Sequence, residues 1–241
     1  MPPRDGTSLS VVVPVFNEER HIGSLLSDVA AQTRGADEII VVDAGSEDGT
    51  VPVAKRFPGV VVMLGSPPVA AGRNLGGRSA RGDVLIFLDA DVRLPAGFFE
   101  GFLREFEDRR LDVACPSYVP HRSTLAVRGI HAFFNLLFGS FEKLLPSGAG
   151  HCIAVRREVF QKSRGFDPAL KFDDIELIRR LSKGRRFGIV ARERVYVSDR
   201  RYREHGVFRM LLRYLLMSLF FALGKYRWAN RIDYEFGSHE R

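Results

Sequence analysis

Hydrophobic positions in the first part of the chain fall into two alternating patterns. "LSVVVPVF" (9–16) is an apolar run that stops at Asn17. In "EERHIGSLLSDVAAQ" that follows, Ile22, Leu25, Leu26 and Val29 recur at helical spacing. "DEIIVVDAGS" repeats the scheme, a β-branched run closing on Asp43, and Asp48-Gly49-Thr50 opens a helix to about Arg56. "GVVVML" (59–64) is a third strand, "VAAGRNLGGRSA" (69–80) a small-residue helix and "GDVLIFLDAD" a fourth strand. Runs that are apolar throughout, rather than alternating, predict burial on both faces. Strand–helix–strand units of this length predict an α/β fold, a Rossmann-like mostly parallel sheet flanked by helices, with right-handed crossovers. Ligands of such sheets bind beyond the carboxyl ends of the strands. Asn17, Asp43, Asp89 and Asp91 all fall there.

Beyond Pro95 the pattern predicts a helix near 96–108, a strand near 112–119 and a Phe-rich helical segment at 125–145. "HCIAVRREVF" reads as strand into helix, and "FDDIELIRRLSKG" as a helix with Asp at its start and Gly184 past its end. In "HGVFRMLLRYLLMSLFFALGKYRW" only Ser218 interrupts the apolar residues from Tyr214 to Leu223. That run is shorter than the ~20 residues a bilayer span needs. Arg209, Arg213, Lys225 and Arg227 punctuate or flank it, which fits a basic amphipathic helix lying on a membrane surface over 207–224. A packed helix or a dimer contact has the same pattern.

Charge sharpens this picture. The net charge is +7 over 241 residues, yet residues 179–241 carry 16 Lys and Arg against 6 Asp and Glu, and residues 1–178 carry 20 against 23. A basic end on a slightly acidic body implies an anionic partner or a solvated basic face. No nucleic-acid module surrounds it, so no nucleic-acid partner is expected. The N-terminus has no apolar stretch of a signal peptide, and two distant cysteines match no metal spacing, so a reducing, cytosolic compartment is expected.

"LIFLDADVRLP" (85–95) poses the chemical question, since a strand that reads as buried ends in two carboxylates one residue apart. They either cap a turn or hold a cation at the edge of the sheet. Mg²⁺ or Mn²⁺ commonly bridges one or two carboxylates to substrate phosphates. The phosphate-binding patterns GxGxxG and GxxxxGK[ST] are both absent, which suits a nucleotide that arrives with its metal.

"VVVPVFNEE", "IIVVDAGSEDGT", "AAGRNLGG", "IFLDAD" and "DDIEL" occur in the order and spacing of inverting GT-A glycosyltransferases of family 2, and the chain resembles that family over about residues 8–190. "SDRRYREHGVFR" resembles the C-terminal part of its non-processive members, which include dolichyl- and polyprenyl-phosphate sugar synthases. The resemblance implies a GT-A catalytic domain over 1–200, with a nucleotide-binding half at about 8–91 and an acceptor half at about 92–200. Residues 201–241 would form the interfacial tail, leading to a membrane segment if the native chain is longer. Pro14, Phe16 and Glu18 match the motif bordering the base and ribose, and Asp43 the carboxylate that accepts hydrogen bonds from the base. Arg73 matches a basic residue of the nucleotide pocket, with Gly72 where the family more often has Ala. Asp89 matches the ribose- or metal-facing acid and Asp91 the metal ligand, so the cofactor implied is Mn²⁺ or Mg²⁺. Asp174 matches the catalytic base, preceded here by Asp173 in place of Glu. A helix cap is its structural alternative.

A hydroxyl acceptor needs that base, whereas an ionised lipid phosphate needs cations. Arg200 and Arg201, with His205 nearby, stand just before the interfacial helix, and Arg suits phosphate by its forked geometry. The expected activity is metal-dependent transfer of a hexose from GDP-mannose or UDP-glucose to a polyprenyl phosphate at the cytoplasmic membrane face. The alternatives are a soluble transferase acting on a glycan or small-molecule hydroxyl, and a membrane-docked nucleotide-sugar-binding protein without turnover. His151, in "SGAGHCIAVRR", reads as a packed histidine rather than a sugar or metal contact. "GKYRW" lacks the Gln of the processive Gln-x-x-Arg-Trp motif.

Overall fold

The computed structural model describes residues 6–230 except residue 122, and for residues 201 and 222 the backbone alone. Residues 231–241 of the expected tail lie outside the described residues.

The strands are β1 (Leu9–Val15), β2 (Glu38–Asp43), β3 (Val60–Leu64), β4 (Val84–Leu88), β5 (Val113–Pro120), β6 (Cys152–Arg156) and β7 (Phe187–Val197). They form one sheet in the order β3-β2-β1-β4-β6-β5-β7. The helices are α1 (Glu19–Ala30), α2 (Thr50–Ala54), α3 (Val69–Ser79), α4 (Phe98–Asp108), α5 (Leu125–Ser140), α6 (Arg157–Gln161), α7 (Asp173–Leu181), α8 (Arg200–His205), α9 (Val207–Ala222) and α10 (Tyr226–Ala229).

Alternation within the buried strands feeds two cores. Leu9, Val11, Val13 and Val15 of β1 point to one face, where Ile22, Leu25, Leu26 and Val29 of α1 and Phe98, Phe99, Phe102 and Phe106 of α4 pack on them. Val12 of β1 and Leu85 and Phe87 of β4 point to the other face, under α3, α6 and α7. Each buried aromatic or aliphatic side chain contributes about 1.5–3 kcal/mol relative to exposure. α3 lies close to the sheet because Gly76 has no side chain there. A Cβ at Gly76 would stand 2.4 Å from Val12 Cγ1 and 3.0 Å from Val42 Cγ2.

Three features differ from the pattern-based expectation. β3 is an edge strand and not buried on both faces, with Val61 51% and Leu64 80% exposed. β7 was not expected, because Arg192, Glu193 and Arg194 interrupt its apolar run. These charges mark an irregularity in the pairing with β5, where Val190 faces Pro116 and Arg194 faces Ser117. The third is direction. β6 runs antiparallel to both β4 and β5, so its first residues, not its last, lie at the rim where β4 ends.

α5 is hydrogen-bonded to the sheet through Asn135. Asn135 accepts from the Tyr118 N–H at 3.1 Å and donates to the Tyr118 carbonyl at 2.8 Å, replacing a strand neighbour at the end of β5. α9 has two apolar faces. Met210, Met217 and Phe221 pack inward in a third cluster with Val127 of α5 and with Phe172 and Ile175 around the start of α7. The Arg179 guanidinium fastens the end of this helix by donating to the Phe221 carbonyl. Phe208, Leu212, Leu215, Leu216, Leu219 and Leu223 are exposed on the outside. The expected boundary between residues 200 and 201 falls inside α8. Among the described residues no helix is long and apolar enough to cross a membrane.

Candidate active site

The loops after β1, β2 and β4 leave the carboxyl ends of adjacent parallel strands and meet on one rim. Asn17 takes a left-handed conformation with φ of 56°, which Asn tolerates better than most side chains. Its N–H donates to Ser46 Oγ at 2.8 Å and its Oδ1 accepts from the Glu47 N–H at 2.9 Å, tying the first loop to the second. The Glu18 N–H donates to Thr50 Oγ1 at 2.7 Å. Asp43 is buried and its carboxylate is turned into its own loop. It accepts from the Gly45 and Ser46 N–H groups at 3.2 Å and from Ser46 Oγ at 2.5 Å.

Above this rim lies a cleft of about 1000 Å³. Of the residues singled out from sequence, Pro14, Phe16, Glu18, Arg73, Asp89, Asp91, Asp174 and Arg200 all line it. Asp43 and His205 are not among its lining residues. The Arg201 side chain lies outside those described.

Arg73 organises the acidic groups. Its guanidinium donates to Asp89 Oδ1 at 2.7 Å and to the two Asp173 oxygens at 3.2 and 3.3 Å, and it stacks over the Phe166 ring at 5.2 Å. Burial raises the Asp89 carboxyl, but Arg73 and His151 outweigh it and hold the group well below the usual carboxylate range. Asp173 goes the other way. Burial, supported by the nearby Asp174 and Asp89 charges and only partly offset by Arg73, pushes it up to about 7. Burial also raises Asp174, against the opposing pull of Arg73 and of the Ile175 N–H, which donates to Asp174 Oδ1 at 2.8 Å. One carboxylate is thus held in its charged form, while burial raises the other two.

His151 corrects the reading of a packed core histidine. It is half-buried and lines the cleft, and its Nδ1 lies 3.1 Å from Asp89 Oδ2. The Asp89 N–H donates to the His151 carbonyl at 3.1 Å, continuing the β4–β6 ladder by one residue. Asp89, Asp91 and His151 each offer a ligand atom within 4.8 Å of the others, and two oxygens with one imidazole nitrogen fit a divalent cation. Gly150, next in the chain, makes room for the Asp174 carboxylate. A Cβ there would stand 1.8 Å from Asp174 Oδ2.

The far side of the cleft was not legible in the motifs. Tyr118, His131, Phe134 and Tyr214 line it. The His131 ring stacks edge-on to Tyr118 at 4.9 Å and lies 5.6 Å from Tyr202. Burial, and secondarily His151, lowers His131 to about 4, so its ring is neutral near neutrality.

The sequence model of glycosyl transferase family 2 matches residues 10–164. A cholesterol galactosyltransferase of Borreliella burgdorferi is 24% identical over 195 residues, 72% of this chain and 54% of the relative. The dodecaprenyl-phosphate galacturonate synthase of Rhizobium johnstonii is 31% identical over 121 residues, 46% of this chain and 36% of the relative. The chain therefore spans about half, or less, of the length of these curated relatives. Among solved structures, a mannosyltransferase from Pyrobaculum calidifontis in complex with GDP-Man and Mn²⁺ superposes with a TM-score of 0.64 at 24% identity. That likeness covers 78% of this chain and 56% of the other, and it shows the same GT-A fold. The match covers most of the sheet, the rim loops and Asp89, Asp91 and His151, and the chain belongs to glycosyl transferase family 2.

Proposed function

We propose that this protein is a metal-dependent inverting glycosyltransferase that moves a hexose, mannose or glucose, from GDP-mannose or UDP-glucose to a polyprenyl phosphate at the cytoplasmic face of a membrane. The observation that carries the reading is the convergence of Asp89, Asp91, His151, Arg73 and Asp174 in one cleft. Mn²⁺ or Mg²⁺ held by Asp89, Asp91 and His151 would offset the charge that grows on the departing nucleoside diphosphate. The imidazole favours Mn²⁺ over Mg²⁺, which prefers an all-oxygen shell. Arg73 keeps Asp89 ionised and aimed, so the donor set is preorganised. Pro14, Phe16 and Glu18 would border the base and ribose, and Asp43, whose contacts also stiffen the adjoining loop, would accept hydrogen bonds from the base.

On the acceptor side, Arg200 lines the cleft and supplies a forked cation for a phosphate, with Arg201 and His205 following on the same helix. The exposed apolar face of α9, with exposed Arg209 beside it, supports docking on an anionic surface. A dodecaprenyl-phosphate galacturonate synthase among the relatives is in keeping with such an acceptor. Transfer to a lipid hydroxyl is the second reading, and Asp174 favours it. A carboxyl raised by burial is a better proton acceptor than an ordinary one, and a hydroxyl nucleophile needs that base.

The test is release of GDP or UDP from each donor in the presence of Mn²⁺, with polyprenyl phosphate or a lipid alcohol in vesicles. Acceptor-dependent release that disappears in Asp91→Ala supports the reading. Donor binding without turnover on any lipid would replace it with a nucleotide-sugar-binding role.

A further inference from the structure

The cleft does not end at the catalytic acids. It continues as an apolar arm between α5 and α9, walled by Leu137, Phe138 and Phe141 on one side and Tyr214, Met217 and Phe221 on the other. A nucleotide sugar has no use for such walls, because its base, ribose, phosphates and hexose are all polar or charged at their edges. Phe141 and Leu145 line this arm and are also exposed, at 49% and 41%, so the arm reaches the outer surface. Leu136 and Leu144 beside that mouth are 70% and 80% exposed. Lys143, between Phe141 and Leu145 in the chain, and Arg209, Lys225 and Arg227 on and after α9 are exposed cations. That is the arrangement of an opening onto an anionic lipid surface.

The arm also contains a polar group that the protein leaves unanswered. His131 is 5% exposed, and its Nδ1 has no hydrogen-bond partner. A buried polar atom without a partner is unfavourable, because it has lost water and gained nothing in return. His131 stands where the apolar arm meets the catalytic half of the cleft, ringed by Tyr118 and Tyr202 and close enough to His151 for the two rings to sense each other electrostatically. A ligand with a long hydrocarbon chain and a polar end would satisfy both features at once, its chain between the helices and its polar end at His131.

We infer that the arm between α5 and α9 is the binding site for the hydrocarbon chain of a lipid acceptor, with His131 hydrogen-bonded to the acceptor's polar end. The inference rests on the lipid-acceptor reading above and adds the place where the lipid lies. α5 and the segment after it thereby join α9 as membrane-facing elements. A neutral imidazole suits either a phosphate or a hydroxyl end, so the arm selects for chain length and leaves the head group to Arg200 or Asp174.

The experiment uses the full chain with its single tryptophan moved into the arm, as Trp228→Phe with Ser218→Trp. Ser218 lines the cleft on α9, so a tryptophan there reports on the arm and narrows it without closing it. Mid-chain-dibrominated hexadecyl phosphate and hexadecanol are the probes, because bromine quenches tryptophan at contact. A thermal shift by nucleoside diphosphate with Mn²⁺ verifies that the variant is folded and its donor half intact. Saturable quenching by either probe, absent with a short dibrominated butyl phosphate, is the expected result, and the phosphate and alcohol arms identify the polar end. No quenching in a variant that shows the nucleotide shift overturns the inference. In turnover assays, Ser218→Trp should raise KM for a long-chain acceptor by about tenfold, equivalent to about 1.4 kcal/mol, relative to a short one. Wild-type protein that uses long and short acceptors equally overturns the chain site while leaving the lipid-acceptor reading in place. Saturable quenching without turnover on any lipid retains the chain site and removes that reading.

Discussion

At the scale of single residues, the site depends on spaces as much as on charges. Gly150 is the clearest case, because a methyl group there would overlap the Asp174 carboxylate outright. Gly150→Ala should therefore lower turnover by an order of magnitude or more through displacement of Asp174, while nucleotide binding with Mn²⁺ is retained. Gly72→Ala is the control. The added methyl would meet Pro14 Cβ at 3.4 Å, an ordinary contact, so stability and turnover should be close to wild type. Equal damage from both substitutions would remove the steric argument. The acidic pair offers a second test. Asp173 titrates near 7 in the folded chain and at 3.8 without its surroundings, so the native state binds more protons than the unfolded state between those values. Stability should fall as pH rises through that window, and Asp174, raised in the same direction, should add to the slope. Melting temperatures measured without metal across pH 4–8 should decline more steeply for wild type than for Asp173→Asn. An unchanged slope in the variant would mean that Asp173 is not the protonated group.

At the scale of elements, the helices with a strong apolar stripe carry the fold. α4 buries Phe98, Phe102 and Phe106 at successive turns, with the Phe98 and Phe102 rings 5.5 Å apart. Phe102→Ala should cost about 3–5 kcal/mol in denaturant unfolding, as expected for a large aromatic lost from a packed core. A loss below about 1 kcal/mol would mean that the core collapses around the gap. Periodicity also explains which elements are legible in the sequence. β1, β2 and β4 are predominantly apolar runs, and their ends mark Asn17, Asp43, Asp89 and Asp91 as rim residues. β7 is hidden by the charges at 192–194, which sit at an irregularity that local pattern does not encode. His151 is hidden by direction. Nothing in "HCIAV" says that its strand runs against β4, and only that reversal brings the residue before the strand beside Asp89. Asp43 lies at a strand end as its pattern predicts, and its carboxylate also accepts from Gly45 and Ser46 of its own loop, contacts that the pattern does not encode.

At the scale of the molecule, the question is how a chain without a crossing helix among its described residues would meet a lipid. Two independent contributions are built in. One is electrostatic, from a C-terminal stretch with 16 Lys and Arg against 6 Asp and Glu, each cation worth about 1 kcal/mol near an anionic surface. The other is apolar, from the outer face of α9, which the inner face has no need of because Met210, Met217 and Phe221 already satisfy the packing on the body. The two respond differently to salt. Screening shortens the reach of the charges to about 10 Å at 0.1 M ionic strength and leaves the apolar term in place. Wild-type protein should therefore co-sediment with phosphatidylglycerol vesicles, bind less at high salt without being released completely, and bind neutral vesicles weakly. Leu212→Glu with Leu216→Glu places like charges on the exposed face and should abolish the salt-resistant fraction, with the nucleotide-dependent thermal shift preserved because neither residue lines the cleft. Salt-resistant binding by the double variant would move the contact away from α9. Complete release of wild type by salt would leave a basic surface that attracts lipid and does not enter it, and the proposed lipid acceptor would then have to leave the bilayer unaided to reach the cleft.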